Sequence, residues 1–417
     1  VRLELPARID SKSYGYELLG VEGLMLFYES RELDENNRRN WYFSKLDTNL
    51  TEKWVKLVAL SEGMRIHKIL STEERLVVLF LNNTGKKQDP IPYEIISFHL
   101  KNEKFSLMGG VFPAQSEISK LAAYGDKLMI GVNLADNLAD LLFFNLSDGS
   151  LTPIDILSEG QYLIQEIDVI SDSRKFGVFL KRFGSKRFEA DIFLIFDSNG
   201  QLINRFEIAD EQHRFLASVG FYGHGEEIVA IGTYEREKSK PTALKNAQET
   251  TAREAAGLFY LQLKPNGQSS IQYHPFAGLP NIDNALASED LMRYRQQQSR
   301  GKASMEEADI AFQFYEPQLI NQDSLLLFSA EAFRPRYRVE SRIDYDFYGR
   351  PIPYTYTIFE GYQFFSTILV SFNTEGGVNW LNTFQIRDLK SYELERHVNV
   401  SANQGEVLAA FYNEGVL

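Results

Sequence analysis

A pattern of strand, polar turn and strand returns at intervals along this chain, and such a repeat limits the folds it can reach. The copies read Phe43-Ser-Lys-Leu-Asp-Thr-Asn, Phe98-His-Leu-Lys-Asn-Glu, Phe144-Asn-Leu-Ser-Asp-Gly, Ile195-Phe-Asp-Ser-Asn-Gly, Leu261-Gln-Leu-Lys-Pro-Asn-Gly and Val370-Ser-Phe-Asn-Thr-Glu-Gly-Gly. Gly, Asn and Asp tolerate positive φ, so each copy lets the chain reverse within a few residues. The turns lie roughly 46 to 67 residues apart, with a last step of about 110 that needs insertions or a hidden unit.

Two more strands precede each turn. One is short and irregular, the other strongly apolar, as in Leu76 to Leu81, Phe176 to Leu180 and Ile228 to Tyr234. Four strands in a meander at this period is the pattern of a β-propeller blade. The innermost strands read as continuous apolar runs, whereas outer ones alternate, as in Ile203-Asn-Arg-Phe-Glu-Ile. A parallel α/β fold would need amphipathic helices between strands, and almost none is present.

Six full units follow: Ser13 to Leu60, Met64 to Val111, Ala114 to Ile156, Tyr162 to Asp210, His213 to Leu279 and Ile310 to Ile386. A seventh is partial, with Glu393 to Asn403 and Glu406 to Tyr412 as its first two strands. An incomplete blade leaves bare sheet edges. Val1 to Arg8 is the expected closing strand, the other reading being a chain that continues beyond Leu417. The expectation is an all-β, seven-bladed β-propeller, with six blades as the alternative, forming one domain from Val1 to Leu417.

Antiparallel neighbours sort the loops by face: turns joining first to second and third to fourth strands share one face, and the other connections share the opposite one. The first group is short. The second holds Arg31 to Asn40, Thr84 to Pro92, Gly184 to Ala190, the insertions 238–256 and 339–361, and the 280–309 link. Loops beyond about 12 residues are commonly functional or disordered. Short helices are expected over 240–256 and from Ser288 onward, where caps and helix formers occur. Against a net charge of -13, this elaborated face carries about +2 and the remainder about -15, enough to focus an anionic ligand or else to form ordinary solvated loops.

The densest candidate site lies in the 339–361 insertion and the residues leading into it. Arg334, Arg336 and Arg338 sit two apart, which on a strand makes a cationic stripe. Arg342, Tyr345, Tyr348, Arg350, Tyr354 and Tyr356 add charge and rigid amphipathic surface of the kind that binds proteins or sugars. A long hairpin rising above the disc is expected. It would recognise a protein or an acidic glycan, or else fold over a neighbouring blade with its Arg and Tyr bridging to Asp and Glu.

Other chemistry finds little support. The chain has no cysteine, so disulfides and thiolate chemistry are absent. Its six histidines lack helical zinc spacing, and no nucleophile elbow, phosphate loop, dinucleotide fingerprint or EF-hand loop occurs. Asp197-Ser-Asn-Gly matches a calcium loop for four residues only. No metal or cofactor is expected. The acidic balance argues against nucleic acid, and no apolar run reaches the roughly 18 residues of a transmembrane helix.

Asp47-Thr-Asn-Leu-Thr-Glu-Lys-Trp54 and Asn373-Thr-Glu-Gly-Gly-Val-Asn-Trp380 resemble the repeat of quinoprotein-like propellers, which implies tryptophans packed between blades. In general layout, especially over Tyr362 to Val416, the chain is similar to uncharacterised exported β-propeller proteins of Bacteroidetes-type bacteria. That resemblance implies an exported, periplasmic or cell-surface protein. Val1 as first residue is read either as the end left by a removed signal peptide or as a trimmed chain. The functional expectation is a non-enzymatic binding or scaffold propeller of the bacterial cell envelope, acting through its loop-rich face. The alternative is a glycan-directed hydrolase or lyase at the channel mouth, for which convergent carboxylates with raised pKa would be the sign.

Overall fold

The computed structural model describes residues 12–155, 160–184, 187–209, 214–236, 254–299, 310–322, 325–345, 347–403 and 406–411. The chain divides into two compact units, 1–184 with 194–203, and 185–193 with 204–417. The expected strand Val1 to Arg8 and most of the 238–256 insertion lie outside the described residues.

Among the described residues, strands arrange in chain order into six four-stranded antiparallel sheets and one pair. The first sheet holds β1 (Tyr14–Leu18), β2 (Leu24–Leu33), β3 (Arg39–Leu46) and β4 (Glu52–Leu60). The second holds β5 (Arg65–Ser71), β6 (Arg75–Leu81), β7 (Ile91–His99) and β8 (Lys104–Phe112). The third holds β9 (Glu117–Tyr124), β10 (Lys127–Asn133), β11 (Ala139–Asn145) and β12 (Leu151–Ile154). Next come β13 (Gln161–Ile170), β14 (Lys175–Gly184), β15 (Arg187–Phe196) and β16 (Leu202–Ala209). The fifth sheet holds β17 (Arg214–His224), β18 (Glu227–Arg236), β19 (Gly257–Leu263) and β20 (Ser269–Pro275). The sixth, which follows helix α1 (Ser288–Ser299), holds β21 (Gln313–Gln322), β22 (Leu325–Tyr345), β23 (Pro351–Phe372) and β24 (Val378–Ser391). The last pair is β25 (Val398–Asn403) with β26 (Glu406–Phe411). Each sheet coincides with one of the six units read from the sequence.

The turn between third and fourth strands repeats one geometry. Asp47, Asp197 and Asn373 each accept two backbone N–H groups on a single side-chain oxygen, from residues two and four positions on, at 2.7 to 3.0 Å. The residue three positions on has positive φ: Leu50 at 60°, Gly200 at 79° and Gly376 at 89°. Only glycine enters that region without steric cost, which explains the recurring Asn-Gly and Asp-Gly pairs. The Asp197 carboxylate is thus consumed by its own turn.

The continuous apolar runs are the second strands of their sheets, each following a short irregular strand as expected from the sequence, and β6 is buried along its whole length. A second strand is hydrogen-bonded on both sides and covered on both faces, which selects an unbroken apolar run. The expectation of a long loop over Arg31 to Asn40 needs correction: β2 runs on to Leu33, pairs with Arg39, and closes through a tight turn in which Asp34 caps Asn36 and Arg38.

Apolar clusters join successive sheets. Phe27, Trp41 and Phe43 of the first meet Phe80, Ile96 and Phe98 of the second. Trp54 lies against Phe98 and Phe105, with ring centroids 5.5 and 6.3 Å away, the inter-sheet packing implied by its repeat context. Val77, Leu79 and Ile95 of the second sheet pack on Leu128 and Ile130 of the third. Phe333, Phe364, Ile386 and Leu389 of the sixth enclose Val398 of β25. Helix α1 forms where expected, and its Tyr294 leans on the core between the fifth and sixth sheets.

Candidate functional site

The first strand of each sheet from the second to the sixth carries a β-bulge against the second strand: at His67, Ser119, Gln165, Ala217-Ser218 and Glu316-Pro317. A bulge releases main-chain groups from the ladder, and buried groups so released need other partners. Buried polar side chains from the preceding sheet reach groups of the next near these bulges and elsewhere. Asn133 at the end of β10 accepts the N–H of Ile164 at 2.8 Å and donates to its carbonyl at 3.0 Å. Asp191 of β15 accepts the N–H of Leu216 at 3.2 Å. Glu331 of β22 accepts the N–H of His397 at 3.0 Å and that of Val398 at 2.9 Å. Glu29, 1% exposed, holds the guanidinium of Arg65 at 3.2 Å. Sequence reading missed these residues. Their signal was a lone polar residue inside an apolar run, as in Ser-Ala-Glu331-Ala-Phe.

A cavity of about 890 Å³ opens among first-to-second strand turns of the second, third and fourth sheets. Its wall includes Glu73, Glu74, Tyr124, Asp168, Asp172 and Arg174. Glu166, two residues before the lining residue Asp168, forms a 2.9 Å ion pair with Lys120. Burial, reinforced by the neighbouring Asp168 charge, pushes the Glu166 carboxyl up to about 7 against the opposing pull of Lys120. His67 hydrogen-bonds the backbone of Ile118, and burial holds its imidazole below the ordinary value. The sequence drew attention to the opposite set of loops and gave no sign of this cavity, because a pocket between turns has no spacing signature.

The shift at Glu166 has a pH consequence. From the ordinary value of 4.5 up to about 7, the folded chain keeps a proton that the unfolded chain has released. Stability is therefore greatest below the lower value and falls as pH rises through the window, by up to about 1.4 kcal/mol per pH unit. Urea unfolding at pH 5, 6 and 7 should show the wild type losing roughly 2 kcal/mol more than Glu166→Gln across that range. Parallel losses in both proteins would contradict the assignment.

The sixth sheet bears the hairpin expected from the sequence. β21 pairs with β22 only as far as Phe333, and β24 pairs with β23 only from Tyr362 onward. Beyond a bulge at Arg336/Tyr337, residues 337–345 pair with 351–359 without a register shift, closed by a turn with Gly349 at φ 74°. This ribbon has no third strand among the described residues.

The nine predicted site residues all lie on this hairpin, and acids meet its cations at Arg334, Arg338 and Arg342. Arg334 stands 3.6 Å from Asp290 and over the Phe365 ring. Arg336 donates to Gln363 at 2.6 Å. Arg338 pairs with Glu340 at 2.7 Å and Glu360 at 3.5 Å, and Arg342 with Asp344 at 3.4 Å. Tyr356 donates to Glu340 at 2.6 Å, its ring 6.1 Å from that of Tyr354. At the tip Arg350 lies over Tyr348, and Tyr345 is exposed. The other face of the ribbon carries Tyr337, Val339, Ile343 and Tyr345 with no charge, each about 60% exposed or more.

Among the described residues no group of three or more His, Asp or Glu is placed to hold a metal ion, and no helix is long and apolar enough to cross a membrane. No protein-family model and no curated protein sequence matches the chain. Among solved structures it is similar to cobalt-substituted Synechocystis ACO, 9% identical over 60% of this chain and 57% of that one, with a TM-score of 0.34. A Synechocystis apocarotenoid oxygenase mutant, Trp149Ala in its own naming, gives the same values. Oligopeptidase B from Leishmania major is 10% identical over 84% of this chain and 37% of that one, with a TM-score of 0.35. The chain thus spans less than two thirds of the length of each. Likenesses of this size carry no argument about function.

Proposed function

We propose that the chain is a non-enzymatic recognition module, a single seven-bladed propeller whose ribbon of residues 337–359 engages a protein partner. Six successive four-stranded meanders of blade length, with a two-stranded remainder that one further strand pair would complete, support the ring. The ribbon carries the functional reading. A two-stranded hairpin exposed on both faces buries little of its own apolar surface and gains little stability alone. Exposed aromatic and β-branched residues in such a place fit a surface that another protein covers. The paired guanidiniums of Arg338 and Arg342 make an acidic glycan the poorer fit of the two ligand classes. The exported, cell-envelope setting belongs to the same proposal and rests on the resemblance to exported propellers. Nucleic acid is not among the proposed partners.

The test replaces residues 338 to 358 with Asn-Gly. Far-UV circular dichroism and melting should stay as in the wild type, while proteins retained from an envelope extract by the immobilised wild type are lost. Retention of the same proteins would overturn the reading.

The enzymatic alternative draws on the cavity wall at Asp168, two residues from Glu166, which is protonated in part near neutrality. It predicts release of reducing ends from an acidic polysaccharide that disappears in Asp168→Asn, and no such release by the wild type would dispose of it.

A further inference from the structure

The two edges of the ribbon are not alike. Pro351 and Pro353 pair with Tyr345 and Ile343 in an unbroken register, and proline has no N–H to give a ladder. Their nitrogens therefore face away from β22. These are the pairs without mutual hydrogen bonds, and by the alternation of an antiparallel ladder so are those at Ser341, Val339 and Tyr337. Five residues of β22 thus aim backbone N–H and C=O groups at the open edge, where β21 has already ended. The β23 edge is blunted by its two prolines, and among the described residues nothing pairs with the β22 edge over 337–345.

The sequence along that edge is complementary to itself reversed. It reads Tyr337-Arg-Val-Glu-Ser341-Arg-Ile-Asp-Tyr345. Turned about Ser341, Glu340 falls opposite Arg342 and Arg338 opposite Asp344, each twice by symmetry. On the other face Val339 meets Ile343 and Tyr337 meets Tyr345. Every charged position finds the opposite sign, and every apolar position finds an apolar one.

We propose that two copies of this chain join edge to edge through β22, antiparallel about a two-fold axis at Ser341. The inference rests on the reading of the ribbon as a recognition element and names its partner as a second copy. Such an interface is isologous, joins two hairpins into a four-stranded sheet, and forms about ten main-chain hydrogen bonds. Opposite charges facing across a strand pair stabilise it and like charges oppose it, so charge sets the register.

Light scattering after size exclusion, across a concentration series, should show the mass rising from 47.8 kDa toward twice that value. Arg342→Glu sets a second carboxylate against Glu340 on both sides of the axis, and Glu340→Arg sets cation against cation. Each variant should dimerise about tenfold more weakly. An equimolar mixture of the two, and the double variant Glu340→Arg with Arg342→Glu, should recover wild-type pairing because both restore opposite signs. A wild type at single-chain mass throughout, a variant that dimerises like the wild type, or a mixture without recovery would each overturn the proposal. A monomeric wild type that still loses its captured proteins on ribbon replacement would leave the recognition reading standing. Dimerisation with capture retained after replacement would do the reverse.

Discussion

Replacing Glu331 with Ala should cost about 3 to 4 kcal/mol and loosen β25 and β26 first. The side chain is 4% exposed, and its two oxygens take the N–H groups of His397 and Val398. Alanine leaves both donors buried without an acceptor, and each orphan costs roughly 1 to 3 kcal/mol. The neighbourhood offers no water-like substitute: Phe364 covers the His397 ring at 4.7 Å, and Val398 sits inside an apolar cluster. Glu331→Gln keeps the shape and one carbonyl oxygen able to accept both bonds. Burial already raises the Glu331 carboxyl above its ordinary value, outweighing the stabilising N–H groups, so removing the charge itself costs little. Glutamine should therefore lose only about 1 kcal/mol. Urea unfolding gives the two values, and amide exchange should accelerate at His397 and Val398 in the alanine variant. Equal losses for Ala and Gln would show that the latch depends on the carboxylate charge, since glutamine keeps both the packing and an acceptor.

Gly232→Ala should be at least as damaging, at about 3 kcal/mol or more. Gly232 lies on β18 opposite Val219, next to the two-residue bulge at Ala217-Ser218. A Cβ there would fall 1.5 Å from the Ser218 carbonyl oxygen and 2.9 Å from the Phe259 ring. The obstacle is main chain, so no rotamer change relieves it. The bulge would have to open, breaking the 2.8 Å contact between the Ser218 and Thr233 hydroxyls that holds it shut. Gly278→Ala is the control, since a Cβ at that position has nothing within 4 Å and should alter stability by under about 0.5 kcal/mol. A Gly232→Ala protein that melts with the control would mean that the bulge is soft.

The six sheets were legible because their determinants are local. Asp47, Asp197 and Asn373 make their turns with atoms no more than four residues away, so the pattern is written in adjacent letters. The ribbon was equally legible as a hairpin, since Asp-Phe-Tyr-Gly-Arg-Pro between two alternating runs is turn chemistry. Its electrostatics were not. A stripe of arginines reads as cationic until the register places Glu360 beside Arg338, and Asp290 reaches Arg334 from a helix more than forty residues earlier. The cavity was invisible for the same reason: Glu73, Tyr124 and Asp172 come from three turns about fifty residues apart, and only folding brings them to one wall. Glu29, Asp191 and Glu331 looked like imperfections in apolar strands.

The buried acceptors also bear on how the chain assembles. Asn133 reaches Ile164 across 31 residues, Asp191 reaches Leu216 across 25, and Glu331 reaches Val398 across 67. In all three the receiving side chain comes earlier in the sequence than the strand it grips. A nascent chain emerging from the ribosome therefore presents each socket before its plug is made, and because closure entropy grows by only about 0.6 kcal/mol for each doubling of length, the longest of these loops costs little more to close than the shortest. Registration is checked one sheet at a time, through contacts of low sequence separation, which is the condition for fast folding in a protein made almost wholly of strands.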